Sequence, residues 1–169
     1  MAAASNVVRL GSWPTPLEPA PRLARRLGLR PEDLWIKRDD LVGLGGGGNK
    51  VRKLEHTCAL ALAHGAATLV TTGAPQSNHA RLTAAAGARL GVDVVLVLEG
   101  NPPPSPTGNL LLDGLFGARL VWAGSLDPEA RGARAQHEAQ RLRMAGTRVE
   151  VIPFGGFSAT GARLRQRCC

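Results

Sequence analysis

The stretch GLGGGGNKVRKLEH, Gly43 to His56, runs four consecutive glycines into Asn49-Lys50, and an apolar helical pattern begins at once. A flexible linker, a phosphate cradle or a device that immobilises one lysine could each use such a sequence. As a Walker A loop it fails, because that motif needs Lys directly after its last Gly and then Ser or Thr. Here Asn49 intervenes and Val51 follows. A dinucleotide fingerprint fits better, since Gly43-x-Gly45-x-x-Gly48 follows a strand-like run and precedes a helix-like one. The ribose-binding acid expected about 20 residues further on is missing, and LVTTG (69–73) stands in its place. A mobile turn without a ligand is the third reading.

Lys50 bears on that choice. In the first turn of a helix, unpaired N–H groups and the positive end of the dipole lower the cost of a neutral amine and attract anions. With Arg52 and Lys53 close by, such an amine loses its proton more readily and can attack an aldehyde. Pyridoxal 5'-phosphate is the common partner, offering a carbonyl to the amine and a phosphate to backbone donors.

Working outward, apolar runs alternate with helix-like segments. LWIKR (34–38), ATLVTT (67–72), DVVLVLE (93–99), ARLVWA (118–123) and RVEVIP (148–153) read as strands, several apolar throughout as in a sheet covered on both faces. Asn49 is the expected cap of a helix running to His64, and Ser77 or Asn78 of one ending at Leu90. GNLLLDGLFG reads as a short helix, and the segment from Pro128 to Gly146 as a longer one. The fold class that follows is α/β, an open and mostly parallel sheet with flanking helices.

Within that frame TTGAPQSNHARLTAAAG, Thr71 to Gly87, ends a strand and opens a helix with Gln76, Ser77, Asn78 and His79. A hydroxyl, two amides and an imidazole then meet free helix N–H groups at the carboxyl end of a strand, where open α/β sheets bind ligands. An ordinary cap on a small-residue helix is the plainer alternative.

Composition narrows the classes. The net charge of +8 is spread along the chain, twelve Lys/Arg against eight Asp/Glu up to Gly100 and nine against five beyond it. Six aromatic residues, none of them Tyr, give few stacking platforms, so no nucleic-acid partner is expected. No apolar run reaches the roughly 18 residues of a membrane span, so none is expected there either. The N-terminus has no secretory pattern, and Cys58, Cys168 and Cys169 form neither a zinc spacing nor a disulfide framework. A cytoplasmic location is the expectation. No metal site is expected.

The blocks IKRDDLVGLGGGGNKVRKLE (36–55), LVTTGAPQSNHARLTAAAGARLGVDVVLVLEG (69–100) and GNLLLDGLFGA (108–118) resemble the D-cysteine desulfhydrase/1-aminocyclopropane-1-carboxylate deaminase family. These are pyridoxal-phosphate enzymes of fold type II, the tryptophan synthase β-like group. The resemblance covers roughly Pro14 to Ala162. It implies that Lys50 bonds the cofactor and moves the substrate α-proton, and that Asn78 hydrogen-bonds the cofactor's 3-hydroxyl oxygen. It implies that Ser77 contacts the substrate carboxylate, and in the deaminase branch that Ser77 is a candidate nucleophile. Gln76 and His79 complete that substrate-binding loop.

His79 matches the desulfhydrase branch. The implied reaction is β-elimination from a small amino acid, D-cysteine giving pyruvate, sulfide and ammonia. Deamination of 1-aminocyclopropane-1-carboxylate, or an inactive fragment that only binds a homologue, are the alternatives, and a homodimer is implied by analogy. Family members are longer, and IPFGGFSATGA (152–162) departs from their pattern at Phe157 and lacks their Asn. The expected organisation is an N-terminal arm of a large domain (1–48), a small cofactor-facing α/β domain (49–155) and a truncated return to the large domain (156–169).

Overall fold

A computed structural model describes residues 7–156. The expected return segment therefore lies outside the described residues except at its first position, as do Phe157, Cys168 and Cys169. Four parallel strands form the main sheet: β3 (Thr68–Gly73), β4 (Asp93–Leu98), β5 (Arg119–Trp122) and β6 (Val149–Val151). Their spatial order is β5-β4-β3-β6. The helices between them are α3 (Asn78–Leu90), α4 (Asn109–Leu115) and α5 (Pro128–Met144), and α2 (Val51–Ala63) leads into β3.

The continuous apolar runs in β3 and β4 have the cause inferred from them. Every residue of β3 and all but the first of β4 are buried, because alternate side chains meet helices on opposite faces. Leu69, Leu96 and Leu98 pack with Leu54 and Cys58 of α2, Leu82 of α3 and Leu110 of α4. Val70, Val95 and Val97 pack with Ala135 and Ala139 of α5. Each fully buried aliphatic side chain contributes about 1.5–3 kcal/mol. Burial at 0% exposure pushes the Cys58 thiol up to about 12, so it serves as a small core residue.

Helix boundaries follow local chemistry. The Ser77 hydroxyl caps α3 by accepting from the Ala80 amide at 3.2 Å, and Gly91 ends the helix in the left-handed region. Asp127 caps α5 in the same way at 2.8 Å, with Pro128 in its first turn.

One expectation is corrected. The run around Ile36 forms no part of the main sheet; β2 (Trp35–Lys37) pairs antiparallel with β1 (Leu17–Pro19) in a separate two-stranded piece. Its apolar residues are exposed, Trp35 and Ile36 included. The short helix α1 (Pro21–Arg26) between those strands was also not foreseen. The next turn is a short 3-10 helix, Asp39–Leu41.

Glu55, buried in α2, fixes the N-terminal segment to this unit. Its Oε1 accepts from the amides of Leu10 at 3.0 Å and Gly11 at 3.2 Å and from the Trp13 indole at 2.6 Å. Removing an acceptor that serves buried donors leaves each unpaired, at about 1–3 kcal/mol apiece. Glu55→Ala is expected to lower unfolding free energy by about 2–3 kcal/mol and to speed hydrogen exchange at Leu10 and Gly11, measured by urea denaturation and NMR.

Candidate active site

Helices α3 and α4 carry the chain from β3 across to β5, and α5 returns it to β6 on the other side of β3. The order thus reverses between β3 and β6, and ligands in open α/β sheets bind outside the carboxyl ends of strands at such a point. Two segments meet there. After β3 come Ser77 and Asn78 at the start of α3, and the turn after β6 (Phe154–Gly156) touches the first turn of α2, where Lys53 Nζ donates to the Gly155 carbonyl at 3.1 Å.

The glycine stretch is a tight bend packed on its surroundings. Gly45 to Gly48 all have positive φ. At Gly47, φ +77°, a Cβ would overlap the carbonyl oxygen of Asp40, so only glycine fits. The Gly48 amide donates to the Asp39 carbonyl at 2.8 Å and the Gly47 amide to the Leu44 carbonyl at 2.8 Å. Arg52 grips the Asp39 carboxylate through two nitrogens at 2.8 and 2.9 Å, and this bond holds the Asp39 carboxyl below its usual range. Arg52 also stacks over the Trp13 ring at 4.0 Å.

Lys50 stands at the cap position of α2, where Asn49 was expected, with α-region backbone and no side-chain cap bond. Its amine donates to Asn49 Oδ1 at 3.0 Å in an exposed hydrogen bond. The charges of Lys50 and Lys53 both reach His79 and disfavour its protonation.

His79 is buried at 4% exposure. Its Nε2 sits 3.0 Å from Thr71 Oγ1, whose single proton goes to the Ile152 carbonyl at 2.8 Å. Thr71 can then only accept from the imidazole, which fixes the neutral ring as the Nε2–H tautomer. Burial, then the two lysine charges, pushes His79 down to about 4. Gln76 is engaged at both ends of its amide: Oε1 accepts from the Asn109 amide at 2.9 Å and Nε2 donates to the Thr107 carbonyl at 3.1 Å.

Asn78 Oδ1 accepts from Asn109 Nδ2 at 3.0 Å and Arg81 Nη2 at 3.3 Å. Two donors on one oxygen turn the Asn78 NH2 the other way, free to donate. Ser77 Oγ accepts from Ala80, which leaves its own proton to give.

These donors match the groups of pyridoxal phosphate and an amino acid: an amine for an aldehyde, an amide NH2 for a phenolic oxygen, a hydroxyl and helix N–H groups for anions. Among the described residues no His/Cys/Asp/Glu group is arranged to hold a metal, and no helix is long and apolar enough to cross a membrane.

A family model described as "Pyridoxal-phosphate dependent enzyme" matches residues 8–161. The chain belongs to this family. It is 42% identical over 154 residues to a protein of Pyrococcus horikoshii provisionally named a 1-aminocyclopropane-1-carboxylate deaminase, covering 91% of this chain and 46% of that protein. It is 46% identical over 156 residues to the D-cysteine desulfhydrase of Salmonella paratyphi B, covering 88% of this chain and 45% of the relative. A crystal structure described as an ACC deaminase homologue superposes with a TM-score of 0.86 at 41% identity, covering 94% of this chain and 47% of its own. The family resemblance and α/β architecture expected from the sequence are thus borne out, and the chain spans about half the length of the relatives it matches.

Arg81, Asn109 and Thr71 were not singled out by sequence reasoning. All three lie inside quoted blocks, but only the fold shows that Arg81 reaches the glycine bend, Asn109 reaches Asn78 and Thr71 reaches His79.

Because His79 stays neutral when folded, the unfolded chain binds a proton below pH 6.5 that the native chain refuses. The contribution is present above that pH and is lost as pH falls toward about 4. Wild type is expected to lose about 2 kcal/mol more than His79→Gln between pH 7 and pH 5, read from urea midpoints.

Proposed function

We propose that this chain supplies the lysine-bearing part of a pyridoxal-phosphate site that acts on a small amino acid by β-elimination, of the D-cysteine desulfhydrase type. One observation carries the reading: the bend ending at Lys50 is hydrogen-bonded to the helix start that presents Ser77 and Asn78. Bound there, pyridoxal phosphate supplies an electron sink for a carbanion at the substrate α-carbon.

The chain's own groups divide the remaining work. Lys50 Nζ holds the cofactor aldehyde and carries the α-proton. Asn78 Nδ2 donates to the ring oxygen, and the Ser77 hydroxyl donates to the substrate carboxylate. Gln76 and His79 shape the loop from behind, through Thr107, Asn109 and Thr71. The balance is D-cysteine plus water to pyruvate, sulfide and ammonia.

Elimination is favoured over cyclopropane ring opening by the surroundings of Ser77. A serine nucleophile needs a base on its oxygen, and the hydrogen bond to Ser77 Oγ found among the described residues comes from the Ala80 amide. The neighbouring imidazole gives its Nε2–H to Thr71.

Titration with pyridoxal phosphate is expected to give a visible absorption band in wild type and in Lys53→Ala and none in Lys50→Ala. Equal spectra for both variants would reject Lys50.

A second reading concerns the whole activity, since the relatives are about twice as long. Leu17, Leu27, Trp35, Ile36 and Leu41, in the segment expected to belong to a large domain, are exposed. Scattered exposed apolar residues are ordinary, but seven large ones within 25 residues, Leu23 and Leu29 included, read as an interaction surface. We propose that this arm packs on polypeptide corresponding to the relatives' other half. Co-expression with residues of the Salmonella desulfhydrase beyond the matched region is expected to yield a co-purifying complex that releases sulfide from D-cysteine. Trp35→Glu with Ile36→Glu is expected to abolish co-purification while the circular dichroism of the chain is unchanged.

A further inference from the structure

A single guanidinium touches both parts of the candidate site. Arg81 lies one turn after Asn78 on α3 and is buried, at 7% exposure. Its Nη1 donates to the Gly45 carbonyl at 2.6 Å, and its Nη2 donates to the Gly47 carbonyl at 2.9 Å and to Asn78 Oδ1 at 3.3 Å. These carbonyls lie five and three positions before Lys50. Asp113 of α4, fully buried, is the carboxylate whose charge acts on Arg81, yet among the described residues neither of its oxygens nor Arg81 Nε has a hydrogen-bond partner. The guanidinium is thus spent on the glycine bend and Asn78, rather than on the nearest opposite charge.

Two physical consequences follow. Glycine has more conformational freedom to lose than any other residue, so a run of four keeps one shape only if groups outside it hold its carbonyls. A planar fork reaches two carbonyls and an amide oxygen together, which an ammonium on a flexible stem does not. The Asn78 oxygen is meanwhile held inward. Asn109 Nδ2 also donates to the Gln76 carbonyl at 2.8 Å, so its end of the pair is a donor, and the Asn78 NH2 faces away from both.

We propose that Arg81 is a positioning residue for the pyridoxal-phosphate site: it fixes the Gly45–Gly48 bend so that Lys50 is held beside α3, and it orients the Asn78 amide as a donor. The proposal rests on the assignment of Lys50 above. A role confined to stability would lower the folded population without changing which lysine is presented.

The test uses the whole chain, whose lysines are Lys37, Lys50 and Lys53. The protein is incubated with pyridoxal phosphate, reduced with borohydride, and the labelled peptides are quantified by mass spectrometry. Wild type is expected to carry its label on Lys50. In Arg81→Gln and in Arg81→Lys the share on Lys50 is expected to fall about fivefold, the effect of roughly 1 kcal/mol of lost bend preference, with label appearing on Lys53. Hydrogen exchange is expected to rise across residues 43–50 in both variants and to stay unchanged in β3 and β4.

If Lys50 keeps its share and the bend keeps its protection in folded variants, the clamp is wrong and the Lys50 assignment stands. If wild type labels its three lysines alike, the Lys50 assignment fails and the proposal with it. Should Arg81→Gln not fold, Arg81→Lys, which keeps the charge facing Asp113 but adds an amine at 81, decides by the ratio of label on Lys50 to label on Lys53 and by the exchange of residues 43–50.

Discussion

A polyglycine bend has no side chains with which to hold itself, and everything at this site depends on how that is overcome. The holding contacts come from three directions. Arg81 reaches in from α3, the Asp39 carbonyl takes the Gly48 amide, and Arg52 on α2 anchors the Asp39 carboxylate. Each contact spans many residues in sequence, so the bend is shaped only after α2, α3 and the segment before it are assembled. Its glycines are demanded by close approach, as the Asp40 carbonyl against Gly47 shows. The stretch that looks most like a linker is among the most constrained parts of the chain.

The parts of the fold that could be read from sequence are those with local causes. Val94 to Leu98 is apolar throughout because the strand is covered on both faces, and a covered strand needs only its own residues to announce itself. Ser77 and Gly91 mark the ends of α3 by chemistry acting within four residues. LWIKR misled for the converse reason. Its apolar residues face outward in a two-stranded piece, and a short apolar run carries no sign of whether anything covers it. Glu55 and Arg81 could be read only as charged residues on helices; their partners lie 45 and 36 residues away. For the site, the block QSNH was legible as a helix start bearing polar groups, whereas the division of labour within it was not. That division depends on Thr71 of β3 and on Thr107 and Asn109 before and at the start of α4, which reach the QSNH block only in the fold.

Charge at this edge is arranged with consistent sign. Lys50 and Lys53 stand near His79, and a protonated imidazole beside them would be a third cation in one small volume. Burial keeps His79 neutral, and the hydrogen bond to Thr71 selects the tautomer that a hydroxyl already committed to Ile152 can accept. On the far side of α3, Arg81 faces Asp113, whose carboxyl is raised to about 7 by its burial and held back from rising further by the guanidinium. The positive ends of α2 and α3 therefore meet with lysine charge in front and compensated charge behind. Under the proposed function that front is the side to which an anionic cofactor or a substrate carboxylate would be drawn.

The two pieces of the chain differ in what they need from outside. The parallel sheet has helices on both faces, and its core is closed by those helices together with Leu10, Val42 and Leu44 from the N-terminal segment. The antiparallel pair β1–β2 has no such cover; a two-stranded piece is marginal in water by itself. It is kept in place by its ends, through Glu55 at one side and the Arg52–Asp39 pair at the other. That geometry makes the arm a bracket: it abuts the glycine bend through Asp39 and Asp40 while turning Leu17, Trp35 and Ile36 outward. A surface that covers the arm would press on the segment that shapes the bend, so packing there and the posture of Lys50 are mechanically linked through Asp39. In a fold built this way, the exposed apolar arm and the Lys50 amine at the start of α2 are joined by one connected set of hydrogen bonds, through Asp39, Arg52 and the glycine bend.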